Sequence, residues 1–279
     1  MSSLKGARVA ILEARMSAEL AAMVERLGGV PYSAPAVRET PLEQPEDIGS
    51  FVDALCEGRF AIIVLMTGVG VTALLREAER LGRLDAALTA LRNTTTVCRG
   101  PKPVAVLRRY NVPVGITAAE PHTTAELLQA LASVDVRGKT VGFLHYGERN
   151  ETAANGLRAR GATVNEVCLY EWRLPDDIGP LERLVDEIIG GRIDAVVITS
   201  QIQCRHLFQV AGRLGKDRAL TDALNAKVVV AAVGPVCAAA LREAGVIPHV
   251  QPAHPKMGPM MLALADYYEL TDRRVHEAR

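Results

Sequence analysis

Short apolar runs rich in valine and isoleucine alternate along most of the chain with longer segments of helical period. Arg8–Leu12, Ile62–Met66, Val141–Leu144, Ala195–Ile198 and Val228–Val233 are near-continuous in apolar residues. That is the pattern of strands covered on both faces, as in a parallel sheet. Ser17–Leu27, Val71–Leu81, Pro103–Arg109, Ala125–Leu131, Ala153–Arg160, Arg205–Leu214 and Val236–Ala244 carry apolar residues at i, i+3 and i+4, which predicts amphipathic helices. Several run into glycine, at Gly28, Gly82, Gly161, Gly215 and Gly245, where a left-handed residue stops a helix. Strand, turn, helix, glycine, strand is the order of βαβ units, which put ligand loops at the carboxyl ends of the strands.

The same pattern occurs twice. GRFAIIVLMTGVGVTALLREAERLG (58–82) and GRIDAVVITSQIQCRHLFQVAGRLG (191–215) superpose without a gap at an offset of 133, and GARVAIL from Gly6 answers GKTVGFL from Gly138 at 132. Gly100-Pro101 answers Gly234-Pro235 at 134. A near-constant offset over this much chain marks duplication of a domain rather than a short solenoid repeat. Two similar α/β lobes are expected, each a mostly parallel sheet flanked by helices, with the cleft between them the first place to look for a ligand. Two Pro-rich stretches, from Ala34 through Pro45 and from Tyr170 through Pro180, occupy matching places in the copies and read as extended links. Interleaved lobes and tandem lobes split near residue 135 fit the repeat equally well.

Composition narrows the function classes. The 279 residues include 32 basic and 32 acidic side chains, a net charge of zero that gives no footprint for nucleic acid or an anionic membrane. The core is expected to be mainly Ala, Val, Leu and Ile, since only 4% of residues are aromatic. The start of the chain has no apolar leader-like region, and no apolar run reaches the roughly 18 residues of a membrane span, so a cytoplasmic protein is expected. Five widely spaced cysteines (Cys56, Cys98, Cys168, Cys204, Cys237) and six histidines without HxH or HExxH spacing argue against disulfides and metal sites.

Candidate chemistry falls on the strand-to-helix turns, where free N–H groups and the helix dipole favour anions. These are Thr67-Gly68-Val69-Gly70, Arg99-Gly100-Pro101-Lys102, Thr199-Ser200-Gln201 and Gly234-Pro235, with His122-Thr123-Thr124-Ala125-Glu126 as a capped helix start. Gly68-Val69-Gly70 lacks the third glycine and the later acidic residue of a dinucleotide fingerprint, which argues against NAD. Arg15, Lys102 and Lys256 stand at strand ends or helix starts and add positive charge there. His145-Tyr146-Gly147 ends a strand, and Tyr170 and Trp172 alternate along the second link. Each of these has a plain structural alternative: a turn glycine, a solvated cation, or a packed tyrosine with a satisfied hydroxyl. The sequence carries no nucleophile triad, P-loop, catalytic carboxylate pair or metal motif. A two-lobed enzyme of this composition would act by holding a reactive substrate in a chosen shape.

The ordered motifs TGVGV, RGPK, HTTAELL, HYG, Tyr170, ITSQ and AVGPVCAAALREAG, spread over about residues 7–268, resemble the uroporphyrinogen-III synthase family. The resemblance implies discontinuous lobes, residues 1–37 with 174–279 and residues 38–173, and an active site in the cleft between them. It implies cyclisation of hydroxymethylbilane with loss of water and inversion of the last pyrrole ring, by a monomer that needs no cofactor and meets the deaminase supplying its substrate only transiently. Tyr170 matches the family's link tyrosine, expected to assist departure of hydroxide. Arg15, Thr67, Gly68, Gly100, Lys102, Thr123, Thr124, Tyr146, Gly147, Thr199, Ser200, Gly234, Pro235 and Lys256 are the expected substrate-binding residues. The family's threonine three residues after each turn glycine is replaced by Pro103 and Cys237, so a non-catalytic homologue that senses a tetrapyrrole or other polyanion is the alternative. Pro103 is expected at a first helical position.

Overall fold

The computed structural model describes residues 2–41, 48–145 and 147–277. In chain order the first elements are β1 (Arg8–Ile11), α1 (Ser17–Arg26), β2 (Val30–Ser33), β3 (Arg38–Pro41) and α2 (Ile48–Cys56). There follow β4 (Ile62–Leu65), α3 (Gly68–Arg80), α4 (Leu84–Asn93), β5 (Thr95–Cys98), α5 (Pro101–Arg109), β6 (Ile116–Thr117) and α6 (Thr124–Ala132). Next come β7 (Thr140–Leu144), α7 (Glu151–Ala159), β8 (Thr163–Val167) and β9 (Tyr170–Arg173). The last are α8 (Gly179–Ile189), β10 (Ala195–Ile198), α9 (Gln201–Arg213), α10 (Asp217–Ala226), β11 (Val229–Ala232), α11 (Pro235–Glu243) and α12 (Met257–Glu277).

The chain divides into two compact units, Met1–Arg38 with Arg173–Arg279, and Glu39–Trp172. The first contains a parallel sheet of order β11-β10-β1-β2, and the second a parallel sheet of order β6-β5-β4-β7-β8. The repeat offset of 132–134 turns β1 into β7, β4 into β10 and β5 into β11, so β5-β4-β7-β8 is the same order as β11-β10-β1-β2. Each sheet therefore combines strands from both copies of the duplication. The strands of the two links, β3 and β9, pair with each other.

Both sheets are covered on both faces, which is why their strands read as unbroken apolar runs. In β4, Ile63 and Leu65 enter a core with Phe51, Leu74, Leu75 and Leu91, while Ile62 and Val64 enter one with Leu127, Leu131, Phe143 and Leu157. In β10, Val196 and Ile198 pack with Leu184, Leu207 and Leu241, and Ala195 and Val197 with Leu20, Met260 and Leu264. The five predicted strands form within one residue of their expected ends. Helix starts lie up to four residues earlier than expected, as at Gln201 of α9, because first turns are built from capping residues rather than apolar ones. Gly28, Gly82, Gly161, Gly215 and Gly245 all have positive φ, as a helix stop requires.

Two details depart from expectation. The second link is extended only through β9. Pro180 lies in the first turn of α8, a position that needs no proline N–H. Pro103 is the third helical residue of α5, and Pro101 takes the first place. The third N–H of a helix also has no intrahelical acceptor, so Pro103 costs α5 no hydrogen bond.

Candidate functional site

In the Glu39–Trp172 unit, chain order reverses between β4 and β7, and ligands of open α/β sheets bind outside the carboxyl ends at such a point. Thr67 leaves β4 as the N-cap of α3, and its Oγ1 accepts the Gly70 N–H at 3.0 Å. The same oxygen lies 2.7 Å from the Tyr170 hydroxyl. Tyr170 is 4% exposed, whereas Thr67 is half-buried. Burial pushes the Tyr170 phenol well above its ordinary range, and the hydrogen bond with Thr67 only partly opposes this. Gly68 allows α3 to approach α5: a Cβ there would lie 2.9 Å from the Lys102 carbonyl oxygen. Lys102 itself is exposed in the first turn of α5.

Neighbouring helix starts complete this edge. Gly100 caps α5 with extended backbone, and a Cβ on it would meet the His122 ring at 3.2 Å. Thr123 closes a capping box, and both its N–H and its hydroxyl donate to Glu126 Oε2, at 2.8 and 2.5 Å. Its donors are thus already engaged, which leaves Thr124 as the hydroxyl of this start that faces its neighbour: it accepts from Asn150 Nδ2 at 2.9 Å. Asn150 is the N-cap of α7, taking the Ala153 N–H on Oδ1 at 3.1 Å. Gly147, at φ +96, packs under Trp172, whose ring a Cβ would approach to 2.7 Å. Tyr146 lies outside the described residues. His145 is fully buried. Its Nδ1 accepts the Asn150 N–H at 3.0 Å and its Nε2 lies 2.7 Å from Glu166 Oε2.

The Met1–Arg38 with Arg173–Arg279 unit repeats the plan, its order reversing between β1 and β10. Ser200 is the N-cap of α9 with extended backbone, and no side-chain capping bond is made by it among the described residues. Thr199 is committed elsewhere. Its hydroxyl donates to Glu13 Oε2 at 2.5 Å, its N–H donates to Gln203 Oε1 at 2.8 Å, and Gln203 Nε2 also reaches Glu13 at 3.1 Å. Gly234 caps α11 against Pro255, 2.8 Å from where a Cβ would stand, and Pro235 is in the first turn. Lys256, next to Pro255, is exposed, and its carbonyl accepts the Met260 N–H as α12 begins. Arg15 is exposed in the turn between β1 and α1.

Each edge thus presents helix N-termini, hydroxyls and a nearby cation, an arrangement suited to carboxylate groups. The family model described as uroporphyrinogen-III synthase HemD matches residues 18–261. The chain belongs to the uroporphyrinogen-III synthase family. It is 32% identical over 272 residues to a Bacillus subtilis (strain 168) protein named uncharacterized protein YjjA, covering 95% of this chain and 97% of that one. Among solved structures it is similar to a mutant uroporphyrinogen III synthase of the extremely thermophilic bacterium Thermus thermophilus, with a TM-score of 0.76, 27% identity, and coverage of 96% of this chain and 99% of that one. The uroporphyrinogen-III synthetase of Helicobacter pylori 26695 shares the fold, with a TM-score of 0.53 at 14% identity over 95% and 98% of the two chains.

Set against the family pattern, Pro103 and Cys237 are both buried, so these synthase-family turns present no hydroxyl at that place. Burial pushes the Cys237 thiol up to about 12, which makes it a packing group rather than a nucleophile. Glu13 and Asn150 carry no signal in the sequence, and His122 enters there only as part of a helix start. Glu13 and Asn150 are isolated polar residues with no motif around them, and only the fold brings them to Thr199 and Thr124. His122 stood in view beside Thr123, but its contact with Gly100 is tertiary. Among the described residues, no helix is long and apolar enough to cross a membrane.

Proposed function

We propose that this protein is a uroporphyrinogen-III synthase. It takes hydroxymethylbilane, lets hydroxide depart to leave an azafulvene cation, and directs the last ring to attack through its substituted carbon. The spiro intermediate then fragments and recloses with that ring inverted, so that one water is lost overall. The substrate's carboxylates are assigned to the turns carrying Gly68, Gly100, Lys102, Thr124 and Gly147 in one unit and Arg15, Ser200, Gly234, Pro235 and Lys256 in the other. The protein is proposed to act in the cytoplasm as a monomer.

Family membership supports the reaction, and the Thr67–Tyr170 bond is the observation that supports its chemistry. A threonine hydroxyl has two lone pairs and one hydrogen. Gly70 N–H occupies one lone pair; across the 2.7 Å contact either hydroxyl can donate, and in the proposed arrangement the Tyr170 hydroxyl, kept protonated by burial, gives its hydrogen to the other lone pair. The Thr67 hydrogen is then left for the departing hydroxyl of the substrate. Tyr170 assists from behind by polarising Thr67, a cooperative chain in a low-dielectric setting. Burial suits this role, because a phenol that ionised would lose its donor.

A second reading, a non-catalytic tetrapyrrole or polyanion sensor, is favoured by Pro103 and Cys237. Genetic complementation separates the two. Expressed in a bacterium lacking its own synthase, the chain should restore growth without added haem, and the Thr67→Val/Tyr170→Phe double variant should not. Failure of the wild-type chain to rescue, at normal soluble expression, would favour the sensor.

A further inference from the structure

The β7–α7 turn of the Glu39–Trp172 unit is held by a relay that runs from the surface through the buried His145 and Asn150 and that the reaction itself does not use. Arg158 on α7 pairs with Glu166 Oε1 on β8, and Glu166 Oε2 meets His145 Nε2 at 2.7 Å. His145 Nδ1 accepts the backbone N–H of Asn150 at 3.0 Å, and Asn150 Nδ2 donates to Thr124 at the start of α6 at 2.9 Å. The directions are fixed by chemistry. A backbone N–H only donates, so Nδ1 must be the unprotonated nitrogen, and Nε2 carries the hydrogen given to the carboxylate. The ring is fully buried and stacks on Phe143, with centroids 4.6 Å apart.

We propose that His145 is a positioning residue: its unprotonated Nδ1 holds the turn from Gly147 to Asn150, and through Asn150 the start of α6, in the conformation that receives substrate, and protonation of that nitrogen releases the turn. This rests on the reading of the turn as a substrate-binding element. A proton on Nδ1 would put two donors face to face across a 3.0 Å contact, and the Asn150 N–H would lose its acceptor in a buried site. The charges bearing on the ring are those of Glu166 and Arg158, from β8 and α7, and of Arg149 and Glu151 at the start of α7. Burial and Arg149 disfavour the protonated ring, while Glu166 and Glu151 favour it. The turn therefore has a defined acid limit rather than a permanent lock.

Two variants of the full-length protein test this. His145→Asn keeps an acceptor oxygen near the place of Nδ1, and His145→Leu fills the volume without one. Amide hydrogen exchange of Asn150 at about pH 8 should be about tenfold or more faster in His145→Leu than in wild type, with His145→Asn recovering most of the protection. KM for hydroxymethylbilane should rise about fivefold in His145→Leu with kcat altered by less than about twofold, and His145→Asn should recover most of the loss. On lowering the pH to about 5, the intrinsic-rate-corrected protection of Asn150 should fall in wild type but not in His145→Asn, which has no titrating ring. Wild-type exchange and KM in His145→Leu, or equal damage in both variants, would overturn the proposal. If His145→Leu does not fold, the pH comparison decides, and parallel curves for wild type and His145→Asn overturn it. If wild type yields type I uroporphyrinogen alone, the functional reading fails, while Asn150 exchange still decides the positioning role.

Discussion

At Thr67 and Tyr170, two oxygens 2.7 Å apart carry the proposed chemistry. Tyr170→Phe should lower kcat by about tenfold or more while costing only about 1 kcal/mol of stability, the worth of one hydrogen bond. Thr67→Val should lower kcat at least as much and cost about 1 kcal/mol through the lost cap of α3. Because the two hydroxyls act as one chain, the double variant should be about as slow as the slower single one, and steady-state kinetics of the full cycle read this directly. His145 supplies a pH prediction at the same scale. Burial lowers its pKa, so the unfolded chain binds a proton before the native state does as the pH falls. Its contribution is fully present above the unfolded value of about 6.5 and is lost as pH falls through the lower folded value. Glu166 acts in the same sense lower on the scale. Although burial opposes it, hydrogen bonds from His145 and Arg158 hold its carboxyl below the usual range. Melting temperature should therefore drop on acidification below about pH 6.5 in wild type and drop less in His145→Asn.

Among the elements, those that matter for function are the turns, and their glycines are the sharpest handles. Gly147→Ala would force a side chain into φ +96 and to within 2.7 Å of Trp172. A cost of about 1–3 kcal/mol in urea unfolding is expected, with a raised KM because the β7–α7 turn must shift. Central strands and their following helices were legible in the sequence because burial on both faces leaves an unbroken apolar signature, as in Ile62–Leu65. Most strands that were not legible lie at sheet edges or in links, and the inner strand β5 (Thr95–Cys98) opens on two threonines that shorten its apolar run. β2 (Val30–Ser33) is an edge strand whose Val30 is exposed and whose second residue is proline, and β6 has only two residues. α4 and α10 have well-defined apolar faces, Leu88 and Leu91 in one and Leu220 and Leu224 in the other, but each directly follows another helix and so falls outside the strand–helix–strand alternation. At the site, the turns themselves were legible from glycine, threonine and proline spacing. Their hydrogen-bond economy was not, because Thr123 is spent on Glu126 three residues away and Thr199 on Glu13, which is 186 residues away.

For the molecule as a whole, the duplication accounts for the topology: the same strand order recurs because each sheet takes strands from both copies. It also gives each unit a carboxyl edge with the same kind of helix starts. The chain's net charge is zero, so in the proposed function attraction is assigned to local cations such as Arg15, Lys102 and Lys256 rather than to the overall field. KM should then rise with ionic strength, and Lys102→Glu should raise it further at low salt than at high salt, since exposed charges are screened over about 10 Å at 0.1 M. The central claim is that this protein decides which way the last ring closes. The most direct measurement is to supply porphobilinogen and its deaminase, add the purified protein in catalytic amount, oxidise the products and resolve the uroporphyrin isomers. Predominantly type III uroporphyrin is the predicted result, and type I alone would contradict the account.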